Sequence, residues 1–191
     1  MNEIIKNWKE TDSISASCSI LKRGGVIVYP TDTIYGLGCD ATNEKAIKKI
    51  NLIKQRQTPI SVMVSLKTNI DDWLNVEKKH KKKILKRVLS SDTFIIPIKN
   101  NLVSKLILGD DNSLGIRKPN HKFCKELSEN YPNPITTTSV NRTGEPSLKD
   151  PKVIYDIFKD EIDLIIEDGI LDNSGSKIYK FSESKFICLR T

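Results

Sequence analysis

The sequence contains little histidine, tryptophan and methionine, with two residues of each among 191. It also lacks the motifs of several large enzyme classes. No G-x-x-x-x-G-K-[ST] or G-x-G-x-x-G occurs, which argues against a P-loop and against a Rossmann fingerprint. No G-x-S-x-G or H-E-x-x-H occurs either. Because His80 and His121 lie among polar residues and are predicted to be exposed, a histidine-based nucleophilic triad is not expected.

The cysteines are few and scattered. Cys18, Cys39, Cys124 and Cys188 form no C-x-x-C pair and do not lie near a histidine in the sequence. This spacing predicts neither a zinc site nor a disulfide framework. We expect buried structural thiols instead, and no metal-ligating residues are predicted.

Long hydrophobic runs are absent, so no segment is predicted to span a membrane. The N-terminal residues show no signal-peptide pattern. Hydrophobic residues make up 38% and charged residues 29% of the chain, which is typical of a globular protein. We therefore expect a soluble, cytoplasmic protein without a membrane partner. Its length suits one domain, predicted over residues 1–191.

Positive charge exceeds negative charge by seven. Such an excess favours anionic partners such as nucleotides or nucleic acid. Part of it lies in the lysine-rich run at residues 77–83. That run has two interpretations: a solvated helix face, or a direct contact with RNA.

Hydrophobic periodicity and turn residues predict alternating helices and strands. The predicted helices cover residues 13–23, 43–56, 77–89, 121–130 and 151–159, with a short one at 101–108. The predicted strands cover residues 26–29, 60–64, 93–98, 113–117, 135–139, 162–167, 176–181 and 186–189. No repeat or linker interrupts this pattern, so one α/β domain is expected, with antiparallel pairing among the late strands.

The first predicted strand, 26–29, leads into an unusual polar segment. It ends at Pro30 and is followed by Thr31-Asp32-Thr33 and by two glycines, Gly36 and Gly38. Hydroxyl groups at the end of a buried strand, next to glycines that let a ligand approach the backbone, indicate a binding site.

Two cations, Lys54 and Arg56, lie in the last turn of the helix predicted to follow this segment. They could serve only the helix dipole. However, the helix starts directly after the Thr/Gly segment, so its C-terminal end can fold back near that segment. An arginine and a lysine at such a junction would make a good clamp for phosphate oxygens.

Further polar residues end two other predicted strands. Ser139 and Asn141 end the strand at 135–139 and are followed by a loop rich in turn formers, and Arg117 ends the strand at 113–117. Turn chemistry alone could explain Ser139 and Asn141. Open α/β sheets, however, bind ligands beyond their strand ends, so these residues are also candidates for a site.

The ordered set of these motifs resembles the YrdC-like family of L-threonylcarbamoyladenylate synthases, from about residue 13 to the C-terminus. The motifs are Tyr29 to Gly38, Lys54-Gln-Arg56, Gly115 to Pro119, Thr137 to Asn141 and Cys188-Leu-Arg190. The resemblance implies a single-domain α/β fold, with a twisted mixed sheet and flanking helices around a large basic concave cavity.

The resemblance also implies an ATP-dependent nucleotidyltransferase. L-threonine and bicarbonate would form a carbamate that attacks the α-phosphate of ATP, giving threonylcarbamoyl-AMP and pyrophosphate. A separate downstream transferase would move the threonylcarbamoyl group to tRNA, next to the anticodon. Mg²⁺ would accompany ATP, and tRNA or double-stranded RNA could bind directly.

The resemblance assigns roles to nine residues and implies no dedicated catalytic group. The implied ATP-binding residues are Lys54, Arg56, Ser139, Asn141, Ser147 and Arg190. The implied threonine-binding residues are Thr31, Arg117 and Ser176. Positioning and charge neutralisation would then supply most of the catalysis.

The chain departs from the family pattern in several places. The segment Gln57-Thr58-Pro59 is shorter than in the family, and Met63 stands where one branch has a histidine. The pattern around Ser176 is reduced, and the second domain of longer members is not expected. A rival hypothesis is an RNA-binding module that uses the same basic concave surface without catalysis, and a family branch with other substrates is also open.

Overall fold

The computed structural model describes residues 4–56, 59–65 and 67–191. Gln57 and Thr58, which form most of the shortened segment, lie outside the described residues. The helices are α1 Ser13–Lys22, α2 Glu44–Lys54, α3 Ile70–Trp73, α4 Lys78–Arg87, α5 Lys122–Asn130 and α6 Pro151–Phe158. The strands are β1 Ile5–Asn7, β2 Ile27–Tyr29, β3 Gly36–Gly38, β4 Ser61–Met63, β5 Thr93–Pro97, β6 Ser113–Arg117, β7 Ile135–Ser139, β8 Leu164–Glu167, β9 Ile178–Ser182 and β10 Lys185–Arg190.

The described strands form a ten-stranded sheet in the order β1-β8-β2-β3-β7-β4-β6-β5-β9-β10. The pairs β1–β8, β2–β8, β4–β6 and β5–β9 are parallel. The pairs β2–β3, β3–β7, β4–β7, β5–β6 and β9–β10 are antiparallel. The predicted fold class, a mixed sheet with flanking helices, is confirmed.

The core consists of two apolar clusters, and side chains of the strands alternate between them. In β2, Val28 packs into the larger cluster, which includes residues of α2, α4 and α6. Its neighbours Ile27 and Tyr29 pack into the smaller cluster, which includes residues of α1 and α5. Successive side chains of a strand point to opposite faces, so β2, β4 and β8 each contribute to both clusters.

Helix α2 shows how local sequence positions the later site. Asn43 caps it by accepting hydrogen bonds from the backbone N–H groups of Lys45 and Ala46. An apolar stripe that includes Ile47 and Ile50 is buried against the sheet. The helix ends where Gln55 adopts a left-handed conformation, at φ 53°.

Close packing against Tyr29, which was not predicted, helps to explain the two glycines of β3. A Cβ atom on Gly36 would approach the Tyr29 ring to 3.0 Å, and one on Gly38 would approach it to 2.7 Å. Gly38 is therefore required by the packing of Tyr29 rather than by a ligand. Gly36 serves both purposes, because it also lines the cavity described below.

Several predicted elements differ from the observed ones. β1, β3 and α3 were not predicted, since each is only three or four residues long and β3 is a Gly-Leu-Gly sequence of low strand propensity. The helix expected at 101–108 is a single 3₁₀ turn at Lys105–Ile107. Among the late strands, β9 and β10 do pair antiparallel, but β8 lies at the other end of the sheet and pairs in parallel.

Several surface features also differ from expectation. Cys39 and Cys124 are buried, but Cys188 is exposed, so the prediction of four buried thiols is wrong. His80 and His121 are half-buried rather than exposed, and His121 Nε2 lies 3.2 Å from an Asp168 carboxylate oxygen. Within the described residues, no helix combines the length and apolar character needed to cross a membrane.

Candidate active site

A cavity of about 270 Å³ is lined by residues of β3, β7, β4, β6, β5 and β9. Four cationic residues line it, namely Lys54, Arg56, Arg117 and Arg190. The remaining lining is rich in hydroxyl groups, and none of the described residues that line it is an aspartate or a glutamate. Such a cavity favours an anionic ligand with several hydrogen-bond acceptors.

One end of the cavity, the lysine corner, consists of Lys54, Ser139 and Asn141. Lys54 Nζ donates hydrogen bonds to the Ser139 carbonyl at 2.7 Å and to Asn141 Oδ1 at 2.5 Å. Ser139 Oγ donates to the same Asn141 oxygen at 2.6 Å. The three predicted residues are therefore one hydrogen-bonded unit that joins the end of α2 to the end of β7.

Lys54 is only 2% exposed, although it lies in the last turn of its helix. Burial lowers the pKa of its ammonium group to about 8, and the positive charge of Arg56 lowers it further. An anion placed beside this group would stabilise the charged form. The lysine corner therefore favours a negatively charged ligand, which would offset the desolvation of the Lys54 ammonium group.

The segment after β7 clamps the end of α2. Thr143 donates to the Lys54 carbonyl twice, through its backbone N–H at 3.1 Å and its hydroxyl at 2.7 Å. Arg142 Nη1 donates to the Ile53 carbonyl at 2.6 Å and is held by an ion pair with Glu161. These bonds satisfy carbonyl groups that a helix end leaves free, and they fix Lys54 relative to Asn141.

The other end, the arginine corner, consists of Thr31, Asp32, Thr33 and Arg117. Arg117 Nη2 donates to Asp32 Oδ1 at 2.8 Å and to Thr33 Oγ1 at 2.9 Å, and Nε donates to the Ser91 carbonyl at 3.0 Å. Because these bonds hold one side of the guanidinium, its orientation in the cavity wall is set before any ligand arrives.

Thr31 is 2% exposed, and its hydroxyl donates to the Ile34 carbonyl at 2.7 Å. The same oxygen accepts a hydrogen bond from the Thr33 backbone N–H at 3.1 Å. The side chain thus folds the segment after β2 into a tight turn. This turn brings Thr31 and Asp32 to the cavity end of β6, where Arg117 lies.

A third group closes the cavity near the C-terminus. Arg190 donates to the Ser176 carbonyl through Nε at 3.1 Å and Nη2 at 2.6 Å. The Ser176 hydroxyl lies 2.8 Å from the hydroxyl of Thr93. Burial lowers the pKa of Arg190, and the nearby positive charge of Arg117 lowers it further. Arg117 and Arg190 both line the cavity.

The cavity brings together eight of the nine predicted site residues. Ser147 is the exception, since it is not among the lining residues, and its predicted contact with ATP has no support from this geometry. Sequence reasoning missed Asp32, Thr93 and Thr143 as members of the site. Asp32 lies inside a motif that had already been singled out, whereas nothing in the sequence near Thr93 marks it.

Comparison with known proteins identifies the family. A family profile named Sua5_yciO_yrdC, with the description "Telomere recombination", matches residues 19–191. The chain belongs to this family. The predicted resemblance is thereby confirmed over nearly the whole chain.

Relatives within the family include both synthases and solved structures. Threonylcarbamoyl-AMP synthase of Coxiella burnetii (strain RSA 493 / Nine Mile phase I) is 32% identical over 164 residues, which cover 82% of this chain and 86% of that protein. P. abyssi Sua5 complexed with L-threonine matches with a TM-score of 0.86 and 25% identity, covering 98% of this chain and 57% of that chain. E. coli YciO matches with a TM-score of 0.84 and 25% identity, covering 98% and 92%. The chain thus spans little more than half of the Sua5 protein.

Proposed function

We propose that this protein is an L-threonylcarbamoyladenylate synthase that uses L-threonine, bicarbonate and ATP. The observation that carries the proposal is the cavity with four cationic residues and no carboxylate among the described residues that line it. The relatives named threonylcarbamoyl-AMP synthase and the Sua5 complex with L-threonine support it.

The proposed reaction joins three substrates. The amino group of threonine bonds to the carbon of bicarbonate, and water leaves, so that a carbamate forms. A carbamate oxygen then attacks the α-phosphorus of ATP, and the bond to pyrophosphate breaks. The products are threonylcarbamoyl-AMP and pyrophosphate, which makes the enzyme a nucleotidyltransferase.

In this proposal the lysine corner and the adjacent Arg56 hold the phosphate chain. Lys54 supplies a point charge and Arg56 a planar group that can bind two phosphate oxygens. Ser139 and Asn141 hold the Lys54 ammonium group in place, and both also line the space where the nucleotide would lie. Lys54 and Arg56 would neutralise charge on the α-phosphate and on the leaving pyrophosphate, and this would lower the barrier to the reaction.

The arginine corner is the proposed threonine site. Arg117 uses Nε and Nη2 for protein contacts, which leaves Nη1 for the threonine carboxylate. Thr31 and Ser176 would contact the rest of the amino acid. Arg190 would bind the nucleotide, because it lines the same cavity as Arg117 and Lys54.

The residues present do not form a dedicated magnesium site. The described residues that line the cavity include no carboxylate, and no group of three or more His, Cys, Asp or Glu suited to a metal ion occurs in the described part of the chain. Mg²⁺ is therefore proposed to enter with ATP, bound to its phosphate oxygens.

The comparisons give no support to the alternative of an RNA-binding module without catalysis. Direct binding of tRNA or double-stranded RNA, the downstream transferase and a cytoplasmic location also stay predictions. The single domain over residues 1–191 also stays a prediction, and the continuous sheet is the observation that supports it.

The deciding experiment is incubation with ATP, bicarbonate and L-threonine, with pyrophosphate release as the readout. We expect release only when all three substrates are present, and we expect threonylcarbamoyl-AMP in the products by mass spectrometry. Release that is unchanged when threonine or bicarbonate is omitted would show that the chain hydrolyses ATP instead. No release in the complete mixture would contradict the proposal.

A further inference from the structure

Lys118 is a buried lysine that the proposed reaction does not use. It is 9% exposed, and within the described ranges its ammonium group makes no hydrogen bond or ion pair. Burial lowers its pKa, and no neighbouring negative charge raises it. Lysine is rarely buried in this way without a partner, because desolvation of the charge is unfavourable.

The stem of this side chain is accommodated by apolar neighbours. Lys118 follows directly after β6, and with Met63, Val64 and Cys124 it lines a narrow cleft beneath α5. Pro119 then fixes the turn towards that helix. A lysine stem packs well against apolar neighbours of this kind, whereas its ammonium group requires a polar or anionic partner.

Lys118 also lines a second surface pocket of about 250 Å³. Its lining residues are Leu89, Ser91, Lys118, Pro119, Asn120 and Lys125. The pocket shares no lining residue with the active-site cavity. Its lining residues carry two ammonium groups, a hydroxyl and an amide. None of the described residues that line it carries a carboxylate. These are the groups that bind a phosphate oxyanion.

The surroundings of this pocket strengthen its positive potential. Asn120 directly precedes the capping residue of α5, where the helix dipole is positive. Leu89 and Ser91 follow α4, and residues 77–87 carry seven lysine and arginine residues against one glutamate. Most of the net charge of +7 therefore lies on the segment that leads to the pocket.

We propose that the pocket of Lys118, Lys125, Asn120 and Ser91 is a second anion site that binds a phosphate group. Lys118 is its central ligand, since an incoming phosphate supplies the partner that the protein lacks. The phosphate belongs either to a free anion, such as phosphate or pyrophosphate, or to a nucleic-acid backbone. This proposal does not depend on the proposed synthase activity.

The site is also placed to communicate with the active-site cavity. Ser91 lines the second pocket, and its carbonyl accepts the hydrogen bond from Arg117 Nε. Arg117 and Lys118 are adjacent in sequence. An anion bound at Lys118 therefore acts on the same short segments that orient the arginine corner.

The test is a titration of the ¹⁵N-labelled protein with inorganic phosphate, followed by NMR. We expect saturable shifts of the Ser91, Asn120 and Lys125 amides. Amides beside the lysine corner, such as Thr143 and Gly144, line the active-site cavity and report separately on phosphate there. A titration in which the second-pocket amides do not saturate in the wild-type protein would overturn the proposal.

Variants assign the effect to Lys118. In Lys118→Met, which keeps the length of the apolar stem, we expect about tenfold weaker phosphate binding at the second-pocket amides, as for the loss of one charge-assisted hydrogen bond. The lysine-corner amides should respond as in the wild type. Lys122→Met is the matched control, since this exposed lysine on α5 does not line the pocket. An equal loss in both variants would reduce the effect to general surface charge and contradict the proposal.

A second arm distinguishes the two sources of phosphate. A short RNA oligonucleotide that shifts the same amides at lower concentration than phosphate, and loses this effect in Lys118→Met, would identify a nucleic-acid backbone. Shifts with phosphate and pyrophosphate but none with the oligonucleotide would identify a free anion. Saturable binding to neither probe would remove the site.

Discussion

At the scale of single residues, Lys54 holds the centre of the candidate active site. It is buried, donates to the Ser139 carbonyl and Asn141, and lies beside Arg56 in the same cavity. We predict that Lys54→Met lowers the rate of pyrophosphate release by about a hundredfold or more, a loss typical of removing one group that stabilises developing charge. Methionine is the better choice than alanine, because it fills the buried space.

The control for this prediction is Lys48→Met, an exposed lysine on the same helix. It should keep near wild-type activity. Both variants should keep the far-ultraviolet circular dichroism of the parent. If Lys54→Met retains most of the activity, the lysine corner is not the phosphate site.

The pKa of Lys54 predicts a pH dependence for ATP binding. The folded protein holds this pKa at about 8, below the ordinary value of 10.5, so Lys54 is charged below pH 8 and loses its proton above it. ATP favours the charged form and raises the pKa. Affinity should therefore be flat below about pH 8 and fall above it, by up to about tenfold per pH unit.

Calorimetry in two buffers of different ionisation enthalpy measures this coupling directly. At a pH slightly above 8, ATP binding should be accompanied by proton uptake in the wild type and by none in Lys54→Met. Equal proton uptake in both proteins would assign the titration to another group.

Arg117 provides a separate test of the threonine site. Lysine cannot reproduce the planar group that bonds Ser91, Asp32 and Thr33 together and still reaches a ligand. We predict that Arg117→Lys weakens threonine binding by about tenfold or more, with ATP binding largely kept. Titration calorimetry with each ligand checks this, and a loss confined to ATP would place Arg117 outside the threonine site.

At the scale of secondary structure elements, the clamp between α2 and the segment after β7 is the feature that positions the lysine corner. Thr143→Val removes the hydroxyl bond to the Lys54 carbonyl and keeps the shape of the side chain. We predict a fall of about 1 kcal/mol in the free energy of unfolding, typical of one lost hydrogen bond. The KM for ATP should rise as well, because Lys54 is held less firmly.

Ser15→Ala is the matched control. Its hydroxyl donates to the Asp12 carbonyl at the start of α1, and Ser15 does not line the cavity. This variant should lower stability by a comparable or smaller amount without changing the KM for ATP. A rise in KM in both variants would mean that Thr143 acts only through overall stability.

At the scale of the whole molecule, one sheet links the first described strand to the last. The two tryptophans report on distant parts of it: Trp8 follows β1, and Trp73 ends α3, next to the residues that extend β5. In each of the single-tryptophan variants Trp8→Phe and Trp73→Phe, we predict that the urea transitions followed by fluorescence and by circular dichroism coincide, as expected for one cooperative unit.

Fluorescence of each remaining tryptophan and circular dichroism of the same samples provide the comparison. Midpoints that agree between the two probes within each variant support a single domain. A fluorescence transition that clearly precedes or follows the circular dichroism transition would show that the two ends unfold separately.

Much of the fold could be predicted from local sequence. The boundaries of β6 and β7 agree with the prediction, and α2 begins at Glu44, one residue after the predicted start, because hydrophobic period and helix-start signals are local properties. The short strands β1 and β3 could not be predicted. β1 pairs with β8 and β3 pairs with β7, and both partners are distant in sequence, so pairing rather than propensity makes them strands.

The sequence by itself determined which residue types the site contains, because strand ends with hydroxyl, amide and cationic groups occur in a recognisable order. Only the tertiary structure decided how they meet. Lys54 reaches Asn141 across 87 positions of the chain, and Arg117 reaches Asp32 across 85. Burial made Lys54 a group of lowered pKa rather than an exposed helix-end cation. Desolvation and the pairing of distant strands depend on the complete fold, and no local pattern contains them.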